Sequence, residues 1–151
     1  MADLSRFTWG KKKIEPEEKD EMKEKGATGN LNSILEEMAE QVDGLLCIAV
    51  AGSDGVAISS YVPHGSMLTA ELAAAQLATI FRIARTSSDK LKAGEFEDNL
   101  LTSSAGQVLI RPLGEESYLA MVTTRDAPLG IVRLVVKSYI SKVEQALGRG
   151  S

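Results

Sequence analysis

The sequence predicts an α/β fold, a three-layer sandwich in which helices cover both faces of a five-stranded sheet ordered 2-1-5-4-3. Three observations carry this. Apolar periodicity runs along the chain in the order helix, strand, strand, long helix, three strands, helix. Two of the strand-like runs, Leu45 to Ala51 and Tyr118 to Val122, are apolar throughout, as strands buried on both faces are. Short turn sequences join strands one and two, three and four, and four and five, so these pairs read as hairpins. Setting the two doubly buried strands side by side then leaves strand three on the rim.

Residues 1–29 read as a flexible charged tail. After Arg6-Phe-Thr-Trp-Gly-Lys-Lys-Lys13 comes the run Glu15 to Lys25, in which Met22 is the one large apolar side chain, too little to build a core. Trp9 beside Phe7 and Lys11 to Lys13 reads either as a docking peptide or weak anchor for an anionic surface, or as part of a solvated tail. The domain itself is expected over 30–147, with 148–151 a disordered end. Leu31, Ile34, Leu35, Met38, Ala39 and Val42 recur at helical spacing, with Asn30 as the expected N-cap and Gly44 just past the end. Strand one follows, Gly52-Ser-Asp-Gly55 reverses the chain, and Val56 to Tyr61 returns as strand two. Strand three is expected near Glu95 to Thr102, its acidic residues marking an edge; strand four runs over Gln107 to Arg111 and strand five over Ser117 to Thr124. Pro128 opens a last helix, in which Val132, Val135, Val136, Tyr139, Val143, Ala146 and Leu147 share a face.

The long second helix is expected over Met67 to Thr86, with Ser66 as its cap and no Gly or Pro inside it. On a helical wheel Met67, Glu71, Arg82 and Arg85 share one narrow strip, with Ala75 and Ala78 between them. The remaining arc is mostly apolar and spans roughly 240°, where a helix lying on one surface needs about 100°. Such a helix is expected to be covered twice, by its own domain and by a second subunit.

Composition excludes several classes. At 151 residues, 44% hydrophobic and 25% charged, the chain is one globular domain that can close a core without metal or disulfides. A formal charge of −4 without a dense Arg/Lys stripe argues against nucleic acid. Cys47 is the single cysteine, and no apolar run reaches the length of a membrane span, so a cytoplasmic protein with no integral membrane association is expected. No phosphate-binding glycine loop, dinucleotide fingerprint or metal-spaced Cys/His pair is present. His64 reads as a turn residue and Cys47 as core filler, so no catalytic residue, metal site or cofactor is expected, and the chain reads as a non-enzyme.

Four stretches stand out within this order of elements: Glu36-Glu-Met-Ala-Glu-Gln-Val-Asp-Gly-Leu-Leu-Cys-Ile-Ala-Val-Ala-Gly-Ser-Asp-Gly55, Leu109-Ile-Arg-Pro-Leu-Gly114, Tyr118-Leu-Ala-Met-Val122 and Leu129-Gly-Ile-Val-Arg133. Together with the order of elements they give a resemblance to the Roadblock/dynein light chain family, nearest in character to the bacterial MglB-type members. It implies an antiparallel sheet and a homodimer in which the second helices pack together and the third strands meet. Leu68, Leu72, Gln76, Leu77 and Ile80 of the helix and Phe96, Asp98 and Leu100 near the rim strand are the expected interface. In MglB-type members such a dimer binds a small Ras-like GTPase and stimulates its hydrolysis, while other members are light chains or scaffolds. A GTPase is accordingly expected on the paired second helices, with Glu71, Arg82 and Arg85 as candidate contacts. Resemblance to MglB also implies that the partner's own catalytic groups are held in place, so no arginine need reach the nucleotide. The alternatives are a sensory module with a small-ligand pocket and a structural light-chain-type adaptor.

Overall fold

The computed structural model describes residues 30–148. The N-terminal segment read above as a tail, with Trp9 and the lysine run, lies outside the described residues, as do residues 149–151. Helix α1 occupies residues 30–39, and Leu31, Ile34, Leu35 and Met38 are all buried, as their spacing predicts. Asn30 is already helical, so it lies inside the helix and does not cap it.

Five strands follow, β1 (Leu45–Gly52), β2 (Ala57–Tyr61), β3 (Asn99–Thr102), β4 (Gly106–Leu113) and β5 (Ser117–Thr124), with α2 (Ala70–Lys90) between β2 and β3 and α3 (Leu129–Ala146) at the end. They form one antiparallel sheet in the order β2-β1-β5-β4-β3, the expected order with β3 on the rim. The doubly apolar strands β1 and β5 pair at the centre, Ile48 opposite Met121 and Ala49 opposite Ala120.

Strand alternation sends neighbouring side chains to opposite faces and so divides the core in two. Ile48, Val50, Leu109, Leu119 and Met121 meet α1 and α3, including Val132, Val135, Val136 and Val143. Cys47, Ala49, Ala51, Ile110, Tyr118 and Ala120 meet α2 through Ala73, Ala74, Leu77, Ala78 and Phe81. The first layer is built from branched and long side chains, the second largely from alanines. Small residues on both sides let α2 lie close to the sheet.

Several boundaries differ from expectation, for local reasons. Helix α2 starts three residues late: Thr69, extended at φ −112° and ψ 147°, is the cap, and its hydroxyl accepts from the Leu72 amide at 3.2 Å. Ser66 is instead held across the sheet, its hydroxyl donating to the Leu46 carbonyl at 2.8 Å and accepting from the Leu68 amide at 3.3 Å. At the other end the helix runs through the polar Thr86-Ser-Ser-Asp to Lys90, because polarity alone does not stop a helix. Lys92 and Gly94, with φ of 55° and 98°, turn the chain away. Strand β3 is shorter than expected and β4 longer. β4 extends past Ile110, the partner of Asn99 at the start of β3, so Pro112 pairs with β5 alone, beyond the end of the β3 ladder.

The β1–β2 turn packs directly on α2. A side chain at Gly55 would meet Ala75 Cα at 3.4 Å, and Gly55 holds a φ of +87°. Gly55→Ala is expected to cost about 1–2 kcal/mol through that left-handed conformation. A urea unfolding midpoint equal to wild type would contradict the turn geometry.

Candidate interaction surface

Helix α2 buries Ala70, Ala73, Ala74, Leu77, Ala78 and Phe81 against its own sheet. Leu77, expected at a subunit seam, is 7% exposed and belongs to this internal core, a correction to the sequence reading. The opposite side of α2 is open: Leu72 is 55% and Ile83 60% exposed, with Gln76 and Thr79 exposed between them and Ile80 half-buried. Leu68 lies just ahead of the helix, half-buried against the α2 core.

The helix lies over β1 and β2 and reaches β4 only lightly. On the α2 side of the sheet, Val108 of β4 and Val122 of β5 are therefore half-buried, and Leu101 of β3 is exposed. Leu101 pairs with Val108 and shares its face. Leu100 pairs with Leu109 and packs against the α1/α3 core, so it points to the far side from α2. Alternation distinguishes the two leucines only once the β3–β4 register is known. Asp98 is also turned that way, with its carboxylate 3.4 Å from the Arg133 guanidinium of α3. Phe96 faces α2, its ring 6.0 Å from that of Phe81. Of the expected interface set, Leu68, Leu72, Gln76, Ile80 and Phe96 share the α2 side; Leu101, Val108, Val122 and Ile83 are what the sequence reading left out.

The candidate polar contacts separate as well. Glu71 is exposed on the first turn. Arg82 remains exposed but donates to the Ser53 carbonyl in the β1–β2 turn. Arg85 is half-buried: it donates to the Gly114 carbonyl at 2.7 Å and lies over the Phe81 ring at 4.9 Å from its centroid. The expected solvent-facing or partner-facing pair thus holds two hairpin turns against α2. The helical wheel leaves both arginines in water or against a partner. The structure offers each one a turn carbonyl that no strand partner uses, and a charge-assisted bond there is the stronger alternative.

Beneath α2 the Tyr118 hydroxyl, fully buried, donates to the Ala74 carbonyl at 2.6 Å. Burial pushes its pKa up to about 12, with nearby Arg82 lowering it and Asp54 raising it. In the unfolded chain the phenol releases its proton near pH 10. The folded state then binds the extra proton, so its stabilisation is complete below pH 10 and is lost as pH rises from 10 to 12. Wild type is expected to lose roughly 2–3 kcal/mol across that window, while Tyr118→Phe loses none of it. Equal alkaline losses in the two chemical-denaturation series would contradict this. Burial also raises the Cys47 thiol pKa, which suits packing and not nucleophilic attack. His64 is exposed in its loop, and among the described residues no group of three His, Cys, Asp or Glu could hold a metal ion.

A family model for the Roadblock/LC7 domain matches residues 32–123, more than half of the chain. The chain belongs to the Roadblock/LC7 family. The fold agrees. The gliding protein MglB of Thermus thermophilus superposes with a TM-score of 0.72 at 15% identity, covering 82% of this chain and 93% of that one. MglB of Myxococcus xanthus gives 0.71 at 16%, covering 80% and 90%. A Roadblock/LC7 domain from Streptomyces avermitilis gives 0.69 at 14%, covering 78% and 97%. No curated protein matches in sequence. At these identities the structural neighbours of this Roadblock/LC7 chain establish its fold. No helix among its described residues is long and apolar enough to cross a membrane.

Proposed function

We propose that this Roadblock/LC7 chain is a cytoplasmic homodimeric regulator or scaffold that binds a small Ras-like GTPase and stimulates or localises it, with no active site of its own. The observation that carries the reading is the open apolar side of α2, Leu72, Ile80 and Ile83, beside the partly uncovered sheet surface at Val108, Val122 and Leu101.

That side is self-complementary. Leu72, Gln76, Thr79 and Ile83 are spaced 4, 3 and 4, symmetric about the point between Gln76 and Thr79. In an antiparallel pair of α2 helices, Leu72 of one copy meets Ile83 of the other, and Gln76 meets Thr79, whose hydroxyl can bond its amide. The two sheet edges also differ. β2 carries a register shift opposite Val50/Ala51, a feature that blunts an edge, whereas β3 pairs with β4 in continuous register and can accept another strand.

A dimer joined through α2 presents a broad surface formed by both copies, on which Glu71 is exposed and Arg82 is exposed while bonded to the Ser53 carbonyl. Arg85 is committed to Gly114, which supports a role in shaping that surface and argues against its insertion into a partner's nucleotide site. Support for the GTPase comes from family membership and from likeness to MglB. Affinity capture from the source cell's lysate, run in parallel with GDP and with a non-hydrolysable GTP analogue, tests it. Retention of a small GTPase preferentially with the analogue is expected; no GTPase in either lane overturns the proposal.

A further inference from the structure

A second surface lies on the opposite side of the domain from α2, at the C-terminal end of α1. A groove of about 510 Å³ opens there, lined by Ala39, Val42, Leu45, Tyr61 and Pro63 and edged by Glu36, Glu40 and Asp43. All three carboxylates are exposed, none makes an ion pair among the described residues, and no cation lines the groove. Their position is electrostatically unfavourable. The C-terminus of a helix carries partial negative charge, where cations stabilise and acids destabilise. The groove thus combines the Tyr61 and Pro63 side chains with an uncompensated negative rim. The Gln41 amide, bonded to the Tyr139 hydroxyl at 2.7 Å, fastens this end of α1 to α3.

The chain contains a segment of matching chemistry outside the described residues. Phe7-Thr-Trp-Gly-Lys-Lys-Lys13 places two aromatic rings beside three consecutive lysines. The geometry points to this segment as the occupant of the groove, Trp9 or Phe7 lying on the Tyr61/Pro63 floor and Lys11 to Lys13 meeting Glu36, Glu40 and Asp43. The reach fits. Helix α1 carries the chain about 15 Å from Asn30 to the groove. An unstructured chain of the length between Lys13 and Asn30 would span roughly 20–25 Å on average. A tether of matching length raises the local concentration of the segment to about the millimolar range, so modest contacts suffice. The inference is independent of the GTPase proposal, since it concerns the α1 side and needs no partner protein.

Trp9 is the only tryptophan, so fluorescence excited on the red edge, where tyrosine does not absorb, reports on this segment alone. At low salt, acrylamide is expected to quench Trp9 several-fold less efficiently in wild type than in Glu36→Lys/Glu40→Lys/Asp43→Lys, with a blue-shifted emission in wild type. That variant places cations at the end of α1, which favours its folding. Lys11→Glu/Lys12→Glu/Lys13→Glu, which leaves the groove intact, is expected to release Trp9 equally. Raising salt should do the same, because the contacts are exposed and screened. Equal quenching in wild type and both variants overturns the proposal, as does protection that survives the groove reversal. Protection that disappears on dilution also overturns it, since the occupant would then come from another copy.

Discussion

Leu77→Glu is expected to unfold the domain. Leu77 is 7% exposed and packs in the layer formed by Cys47, Ala49, Ala51, Tyr118 and Ala120. The substitution removes a buried aliphatic side chain and puts a carboxylate in its place. The lost packing costs about 2–5 kcal/mol, and burying the acid adds several more unless the helix pulls away. Against a total stability of about 5–15 kcal/mol, most or all of the folded population is lost. Circular dichroism melting of the variant checks this. A cooperative transition near the wild-type temperature would mean that Leu77 does not face the sheet.

Leu72→Glu, five residues earlier on the same helix, is expected to do something different. Leu72 is 55% exposed in the single chain, so the domain should keep its fold and its melting behaviour to within about 0.5 kcal/mol per chain. In the proposed α2 seam the new carboxylate faces the Ile83 side chain of the second copy. A buried, unpaired charge in such a seam costs about 2–4 kcal/mol, or roughly 30- to 1,000-fold in the dissociation constant. The variant should therefore be a folded monomer at concentrations where wild type is dimeric. Undiminished self-association in Leu72→Glu would place the seam elsewhere.

The sequence alone treats these two leucines alike, since both fall in one wide apolar arc. What separates them is the width of the face that the sheet takes up, and that depends on the alanines of β1 and β5, which admit a narrow strip of α2 centred on Ala74 and Leu77. The strand order was legible because Leu45 to Ala51 and Tyr118 to Val122 have no polar alternation, and hairpin turns constrain the rest. Leu100 and Leu101 were not separable by hydrophobicity. Their faces follow from pairing with Leu109 and Val108, and a one-residue difference in register inverts them. The start of α2 was ambiguous because Ser66 and Thr69 are both competent caps; a tertiary bond from Ser66 to the Leu46 carbonyl decides between them. Periodicity puts Arg82 and Arg85 on one side of the helix, but their acceptors lie in turns 29 residues away in sequence, beyond the reach of a wheel.

In the proposed dimer the open side of α2 joins two copies of this chain. Its most direct test is the molar mass of the purified protein in solution, measured by light scattering across a dilution series. A species of twice the 16.2 kDa chain mass is expected to persist to low micromolar concentration, with a single-chain mass for Leu72→Glu. A wild-type protein that stays at the single-chain mass at every concentration would contradict it.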